Sequence, residues 1–485
     1  MCARRRSKRA RRKRPLQRQA AVRGRSNAQQ LKMLLRWFLP DERIFAGLAP
    51  HGNTKWRPAE LIWLALGWAW GESKNVTDAF DAALGQCRLL GIGPVNTYQG
   101  FMNALVTWSD RLMEAVWPPL HRRLEQIGGA YWQVGEWVPI AFDGSRSTAP
   151  RTRANEKALC APNYGTGPTA RYRKKKTKGL RRRKNEKNKP QPQAPQAWIT
   201  LLWHMGLRIP WMWRLGPSNS SERRHVQQML EVGDFPENTL FCGDAGFVGY
   251  PLWAQILSAG HQFLVRVGSN VELLTESAEW RSEKGGFVLC WPKAARQCGK
   301  APLRLRLVRV EIGKTSMWML TSVLEPRKLT KTQLVGLYKM RWGIETEFRG
   351  LKQTLDRAKL RCRNDRRLLA ELNWSLLAMA VAELFALRQQ RAPVHKFDPK
   401  KRSLASTMRA LRWCLSNLQH VAAKNEDLLA RLQIAVTDNY VRKSSKRARY
   451  RPPNRDKQPL GDPTIRTLSV EQKKKLDAVT AQTVA

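Results

Sequence analysis

The chain has 485 residues, 42% of them hydrophobic, and 87 Lys and Arg against 38 Asp and Glu, a formal net charge of +49. That length and apolar content allow two or three domains with sizeable cores and exclude global disorder. Such a charge opposes compaction by self-repulsion, so a polyanionic partner is expected, nucleic acid ahead of an anionic membrane surface.

No apolar run in the sequence reads as approaching the roughly 20 residues of a membrane span, and no membrane role is expected. The N-terminal "MCARRRSKRARRKRPLQRQ" has no apolar core, so a secretory signal is not expected either. Eight scattered cysteines without a CxxC pair fit a reducing compartment and exclude a zinc ribbon or a disulfide framework.

Residues 1–26 read as a disordered basic tail. It could grip phosphates, act as an import signal, or be a solvated arm. Residues 27–135 read as a helical domain for DNA binding or assembly, with "NAQQLKMLLRWFL" starting at Asn27 and "PAELIWLALGWAWG" at Pro58. The run "DRLMEAVWPPLHRRLEQI" reads as two helices broken at Pro118. In "EWVPIAFDGSR", Val138, Ile140 and Phe142 alternate as in a strand, which is expected to end at Asp143-Gly144. A basic loop spans 146–196. "AWITLLWHMG" and "RIPWMWRLG" then form a hairpin whose Trp198, Trp203, Trp211 and Trp213 are read as core or lining. A helix capped by Ser220 or Ser221 follows, then "NTLFCGDAGF" as a buried strand ending at Asp244, a helix closed by Gly260, and the strand "HQFLVRV".

Residues 136–269 are the first part of the expected catalytic core, and 270–325 are a β-rich segment with alternating basic and apolar residues. Residues 326–392 return to helices, and 393–485 are a C-terminal helical region ending in a basic disordered tail.

Within 326–392, "YKMRWGIETEFRGLK" carries the densest chemistry. On a helix turning about 100° per residue, Tyr338, Arg341, Glu345 and Lys352 fall at roughly 0°, 300°, 340° and 320°. Leu337, Ile344, Phe348, Leu351 and Leu355 form the apolar stripe beside them. Asp143 and Asp244 stand at strand ends followed by turns, where α/β sheets place their sites. A "DG" alone is commonly only a turn, and a charged helix edge only a solvated face. Three carboxylates brought together would repel. A pair of Mg²⁺ or Mn²⁺ ions, hard cations suited to oxygen ligands, would relieve that repulsion and serve phosphodiester chemistry.

The spacing of Tyr338, Arg341, Glu345 and Lys352, with "FDG", "DAGF" and "WMLTS", resembles the Y-R-E-K signature of DDE transposases of bacterial insertion-sequence family four. The resemblance spans about 136–358. It implies an α/β, RNase H-like catalytic core with a β-rich insertion at 270–325, flanked by helical N- and C-terminal regions. It further implies that Asp143, Asp244 and Glu345 are catalytic metal ligands, and that Tyr338, Arg341 and Lys352 contact DNA. Trp318 is a candidate for stacking on an extruded base, or a core residue of its strand. The implied activity is cut-and-paste movement of double-stranded DNA between terminal inverted repeats and a target, by a homodimer in the bacterial cytoplasm at the nucleoid. A non-catalytic DNA-binding relative and a stand-alone nuclease are the alternatives.

Overall fold

The computed structural model describes residues 25–48, 54, 56–93, 95–160, 194–276, 285–313, 315–391, 397–421, 426–438 and 460–484. The expected basic tail at 1–26, apart from its last two residues, lies outside them, as do most of the basic loop and the basic run at 442–457.

Four helices build the N-terminal region: α1 (Asn27–Phe38), α2 (Pro58–Trp70), α3 (Val76–Leu89) and α4 (Tyr98–Gly128). α1 starts at Asn27 as expected and is capped by Ser26, whose side chain and that of Gln29 satisfy each other's backbone N–H in a capping box. The expected break at Pro118 does not occur, and α4 runs for 31 residues with Pro118 and Pro119 inside it. Phe101, Leu105, Leu112, Val116, Leu120 and Leu124 make an unbroken buried stripe across the prolines. Their burial, at about 1.5–3 kcal/mol per side chain, outweighs the hydrogen bonds that proline deletes.

The next segment alternates strands and helices: β1 (Val138–Thr148), α5 (Arg153–Leu159), β2 (Gln196–His204), β3 (Ile209–Gly216), α6 (Glu222–Val232), β4 (Thr239–Gly243), α7 (Tyr250–Ser258) and β5 (Gln262–Val267). It continues with β6 (Glu272–Thr275), β7 (Gly286–Cys290), α8 (Lys293–Gln297), β8 (Leu303–Ile312) and β9 (Thr315–Thr321). The C-terminal elements are α9 (Lys331–Arg341), α10 (Gly343–Arg349), α11 (Asp365–Gln390), α12 (Leu404–Ser416), α13 (Leu428–Gln433), β10 (Thr464–Thr467) and α14 (Val470–Val484).

The described strands form one ten-stranded sheet in the order β10-β6-β7-β8-β9-β5-β4-β1-β2-β3. β1, β2 and β3 are antiparallel neighbours, while β1, β4 and β5 run parallel. The strands of 272–321 extend the same sheet past β5, through the antiparallel β5–β9 pair. The short β10, absent from the sequence reading, pairs parallel with β6 and closes that edge.

Two sequence expectations are corrected. β1 does not stop at Asp143-Gly144 but continues to Thr148, so the loop assigned to 146–196 begins as strand and then forms α5. Also, α11 is long and apolar enough to cross a membrane by length and composition, contrary to the reading that no such run exists. Its most apolar window is 89% buried within the protein, where it packs on α2, α4, α12 and β3. A helix apolar all round is the central helix of a large core as readily as a membrane span. Its charge is paired: Glu371 accepts from Arg361 and Cys362 N–H and lies 3.7 Å from Arg357 Nε, both side chains buried.

Candidate active site

Asp143 is placed by a mismatch in its ladders. On one side β1 pairs antiparallel with β2 along its length, Asp143 opposite Leu201. On the other side the parallel pairing with β4 ends at Ala141–Cys242. Beyond Ala141, β1 therefore projects past the end of β4, and Asp143 borders the gap. Asp244 follows Gly243, the last residue of β4, and its Oδ1 accepts from Gly246 N–H at 2.7 Å, which fixes the turn. Both acids thus stand at the carboxyl end of the parallel strands, where open α/β sheets hold their ligands.

The third acid comes from the signature segment, which is not the single helix its periodicity predicts. α9 stops at Arg341, α10 starts at Gly343, and a π-helical turn, Gly350–Thr354, ends it. The expected apolar stripe of Leu337, Ile344, Phe348, Leu351 and Leu355 is buried. Glu345 faces outward, whereas Glu347 turns into the core against Glu383 and Arg402. Burial, with Glu383 adding to it, pushes the Glu347 carboxyl well above the usual carboxylate range. The segment is tied to β1 at its far end, where Thr148 N–H donates to Ala358 O and Leu360 N–H to Thr148 O.

These elements border a cleft of about 410 Å³ lined by Asp143, Gly144, Ser145, Glu345, Phe348 and Lys352. Lys352 Nζ donates to Ser145 Oγ at 2.7 Å, and burial lowers its pKa. Arg341 is turned inward at 4% exposure, its Nη1 3.7 Å from Asp143 Oδ2. That is beyond hydrogen-bond length, and Arg341 Nε and Nη1 have no hydrogen-bond partner among the described residues. Tyr338, with Arg341 5.7 Å from its ring, is also buried.

Burial pushes the Asp143 carboxyl up to about 6. Asp244 and Glu345 push the same way, against the hydrogen bond from Gly144 N–H and the charge of Arg341. Asp143 is therefore within electrostatic reach of both other acids. They do not close into the ready cluster the sequence implied: among the described residues no three His, Cys, Asp or Glu side chains form a metal-ligand set. Uncompensated carboxylates repel, and here Asp143 leans on Arg341 while Asp244 is held by its own turn. The donor type nonetheless fits a hard divalent cation, since all three offer carboxylate oxygen.

Trp318 is 5% exposed, its indole N–H donates to Asp462 at 2.8 Å, and Arg309 lies 5.8 Å from its ring. It has no free face for a base in this arrangement. Trp203, Trp211 and Trp213 are buried, and Trp198 carries Arg146 at 4.1 Å over its ring.

One acid beside Asp143 was missed by sequence reasoning. Glu222, the first residue of α6, lays its carboxyl group against Gly144, the residue after Asp143. Burial raises its carboxyl to about 7, with Asp143 and Asp244 adding to the shift and Arg146 opposing it. A Glu beside a capping Ser reads only as a favourable helix start, so no sequence signal placed it here.

Residues 204–381 match the family model described as "Transposase DDE domain", a span that takes in Asp244, Glu345 and the whole signature segment but not Asp143. Over 159 residues, 32% of this chain, it is 27% identical to "Putative transposase y4zB" of Sinorhizobium fredii. The match covers 45% of that relative's length. A solved structure of a piggyBac transposase in a synaptic complex with hairpin DNA overlaps 88% of each chain at 12% identity. Its TM-score of 0.39 is too low for any argument to rest on it. The similarities are thus to DDE-type transposases.

Proposed function

We propose that this chain is a metal-dependent DDE transposase of the insertion-sequence family-four kind, cutting double-stranded DNA at transposon ends and joining it to a target. The observation that supports it best is the approach of Asp143, Asp244 and Glu345, from three separate elements, to one end of the parallel strands. We read the order β3-β2-β1-β4-β5, with its two antiparallel and two parallel pairs, as the RNase H-like core, and 270–325 as its β-rich insertion.

In this reading Asp143, Asp244 and Glu345 hold Mg²⁺ or Mn²⁺. When bound, the ions activate a nucleophilic oxygen and stabilise the leaving one. The chain's other groups orient the DNA. Lys352, at the cleft wall, meets a backbone phosphate through its ammonium group. Arg341, buried with unpartnered N–H groups, holds the Asp143 side of the site and offers donors to an incoming oxygen acceptor. Tyr338 packs beneath Arg341 and acts by positioning it. Water attacks the scissile phosphorus and the bond to the 3′ oxygen breaks. The released 3′-hydroxyl then attacks a target phosphodiester in the same geometry. No side chain becomes attached to DNA. Two ends held together call for two copies of the chain, and the net charge of +49 supplies non-specific attraction to the backbone.

The test is strand cleavage by purified Asp143→Ala, Asp244→Ala and Glu345→Ala on the element's own ends with Mg²⁺. Each is expected to lose cleavage while keeping end binding. Normal cutting by any of them refutes the assignment. Cutting without joining of the 3′ end would identify a nuclease instead.

A further inference from the structure

We propose that Arg123 and Arg388, which share the ring of Trp37 where α1, α4 and α11 meet, form with the adjacent Arg122 a docking surface for the phosphate backbone of double-stranded DNA, separate from the cleft. The inference rests on the reading of the chain as a DNA-acting protein, but not on the cation site.

Trp37 lies in the last turn of α1, half-buried against the core. The Arg123 guanidinium lies 5.2 Å from the centre of its ring, and the Arg388 guanidinium 4.3 Å. The two charges are therefore within about 10 Å of each other, one Debye length at ordinary salt. Arg123 is held further: its Nε donates to Trp37 O at 2.7 Å and its Nη1 to Gln126 Oε1 at 2.7 Å. Arg122 and Arg123 line, with Arg43, Pro119 and Gln126, a cavity of about 480 Å³ that shares no residue with the cleft.

Among the described residues Arg122, Arg123 and Arg388 form no ion pair. Asp41, the acid of the cavity wall, is taken by Arg43 at 2.9 Å, and Glu125 of α4 is exposed and pairs with none of the three. Burial lowers the pKa of Arg123, with Arg122 adding to it, and burial lowers that of Arg388, with Arg123 adding to it. Like charges held together repel, and a row of phosphates removes that cost. Guanidinium groups take phosphate oxygens two at a time. The ring contacts and hydrogen bonds hold Arg123 and Arg388 in place beforehand, so little side-chain freedom is left to lose on binding. Proteins that hold single strands stack the bases on open aromatic rings, whereas the Trp37 ring is already overlaid by guanidinium groups. Phosphate contact without base reading is what the surface offers, and that suits a duplex of any sequence.

The experiment is fluorescence anisotropy of the full chain on a short duplex of arbitrary sequence, over a salt series and without Mg²⁺. Arg122→Gln combined with Arg388→Gln removes two charges and keeps Arg123, which also bonds the backbone of Trp37. It is expected to weaken binding about tenfold or more near about 0.1 M salt, and to reduce the steepness of log K against log salt by about 2. Arg466→Gln combined with Lys475→Gln removes the same charge from residues ion-paired to Glu272 and Glu471, and should bind nearly as the wild type does. Arg122→Lys combined with Arg388→Lys should keep most of the salt dependence. An unchanged slope in the glutamine variant, or an equal change in the ion-paired control, overturns the proposal. A lysine variant as weak as the glutamine variant would mean lost packing and not lost charge, and overturns it too. Competition by polyglutamate or single-stranded DNA stronger than by duplex would overturn duplex DNA as the partner. If the binding results are as expected and Asp143→Ala still cuts DNA, the transposase chemistry falls and the surface stands.

Discussion

Gly343 tests whether close packing, not helix propensity, shapes the signature segment. It begins α10, where Gly is intrinsically worse than Ala by about 0.5–1 kcal/mol. A Cβ there would lie 3.0 Å from Trp203 Cζ3 and nearer still to the end of the indole, with Arg208 Nη1 at 2.9 Å. Trp203 is fully buried in β2 and overlaid by Arg208 at 5.4 Å, so the ring cannot swing aside. The helix must move instead, which loosens the packing of Ile344 and Phe348. Overpacking of this kind costs roughly 1–3 kcal/mol, so Gly343→Ala should destabilise by about 1–2 kcal/mol net. Gly336, one turn before the end of α9, is the control: nothing lies within 4 Å of its added Cβ. Gly336→Ala should stabilise by up to about 1 kcal/mol. Denaturant titrations of the two variants read the opposite signs directly. Because Glu345 is two residues on, Gly343→Ala should also lower the cleavage rate while Gly336→Ala leaves it alone. A Gly343→Ala protein as stable as Gly336→Ala would refute the packing argument.

Three further outcomes are expected. His121 stacks on Trp211 at 3.7 Å, and burial lowers its pKa from 6.5 to about 4. The unfolded chain therefore binds the proton more readily, so this stabilisation is complete above pH 6.5 and is lost as pH falls toward 4. Between pH 7.5 and 5 the loss is about 2 kcal/mol, and His121→Phe should lack it when denaturant midpoints are compared at the two values. Glu371→Ala strands the buried Arg357 and two backbone donors, and should cost about 3–5 kcal/mol by denaturant titration, against much less for an exposed pair such as Lys475–Glu471. Asp462→Ala removes the acceptor of the Trp318 indole, so amides of Thr464–Thr467 should exchange faster by about 1 kcal/mol of lost protection, with the core strands unaffected.

The strands β2 to β5 were legible because each is a short apolar run bounded by turn residues, a local signal. The place of Asp244, just past the end of β4, was readable for the same reason. The end of β1 was not, because Gly144 looked like a turn while the antiparallel ladder to β2, 48 or more residues away in sequence, holds the strand extended to Thr148. The helical wheel found the buried stripe of the signature segment but assumed one continuous helix. The interruption at Trp342 and the π-helical turn rotate Arg341 inward and leave Glu345 at the cleft, which no uniform period can express. β10 is four residues long, and its partner is almost two hundred residues away, so only the sheet edge it covers reveals it. Trp318 read as either core or base reader, and the strap that covers it comes from that same distant segment.

The three acids proposed for the site share a local device that lets the segments carrying them pack closely on their neighbours. Each is next to, or two residues from, a glycine whose missing side chain leaves the space that a neighbour occupies. Gly144 follows Asp143 and admits Glu222, with the added Cβ only 2.8 Å from its Cγ. Gly243 precedes Asp244 and admits the Phe142 ring, 2.9 Å from an added Cβ at Cζ. Gly343 precedes Glu345 by two and admits Trp203. Phe142 is itself the neighbour of Asp143, so the contact at Gly243 locks the two aspartate-bearing strands at the level of the acids. The ring contact at Gly343 does the same between β2 and α10. Side chains at these positions would hold the backbones apart, and cavities elsewhere could not compensate, because interiors are packed near crystal density. The segments that carry the three acids thus pack closely by steric permission beside each, although the carboxylates themselves form no ligand set among the described residues. On the Asp143 side the charge is met by Arg341, whose Nη1 lies 3.7 Å from Asp143 Oδ2.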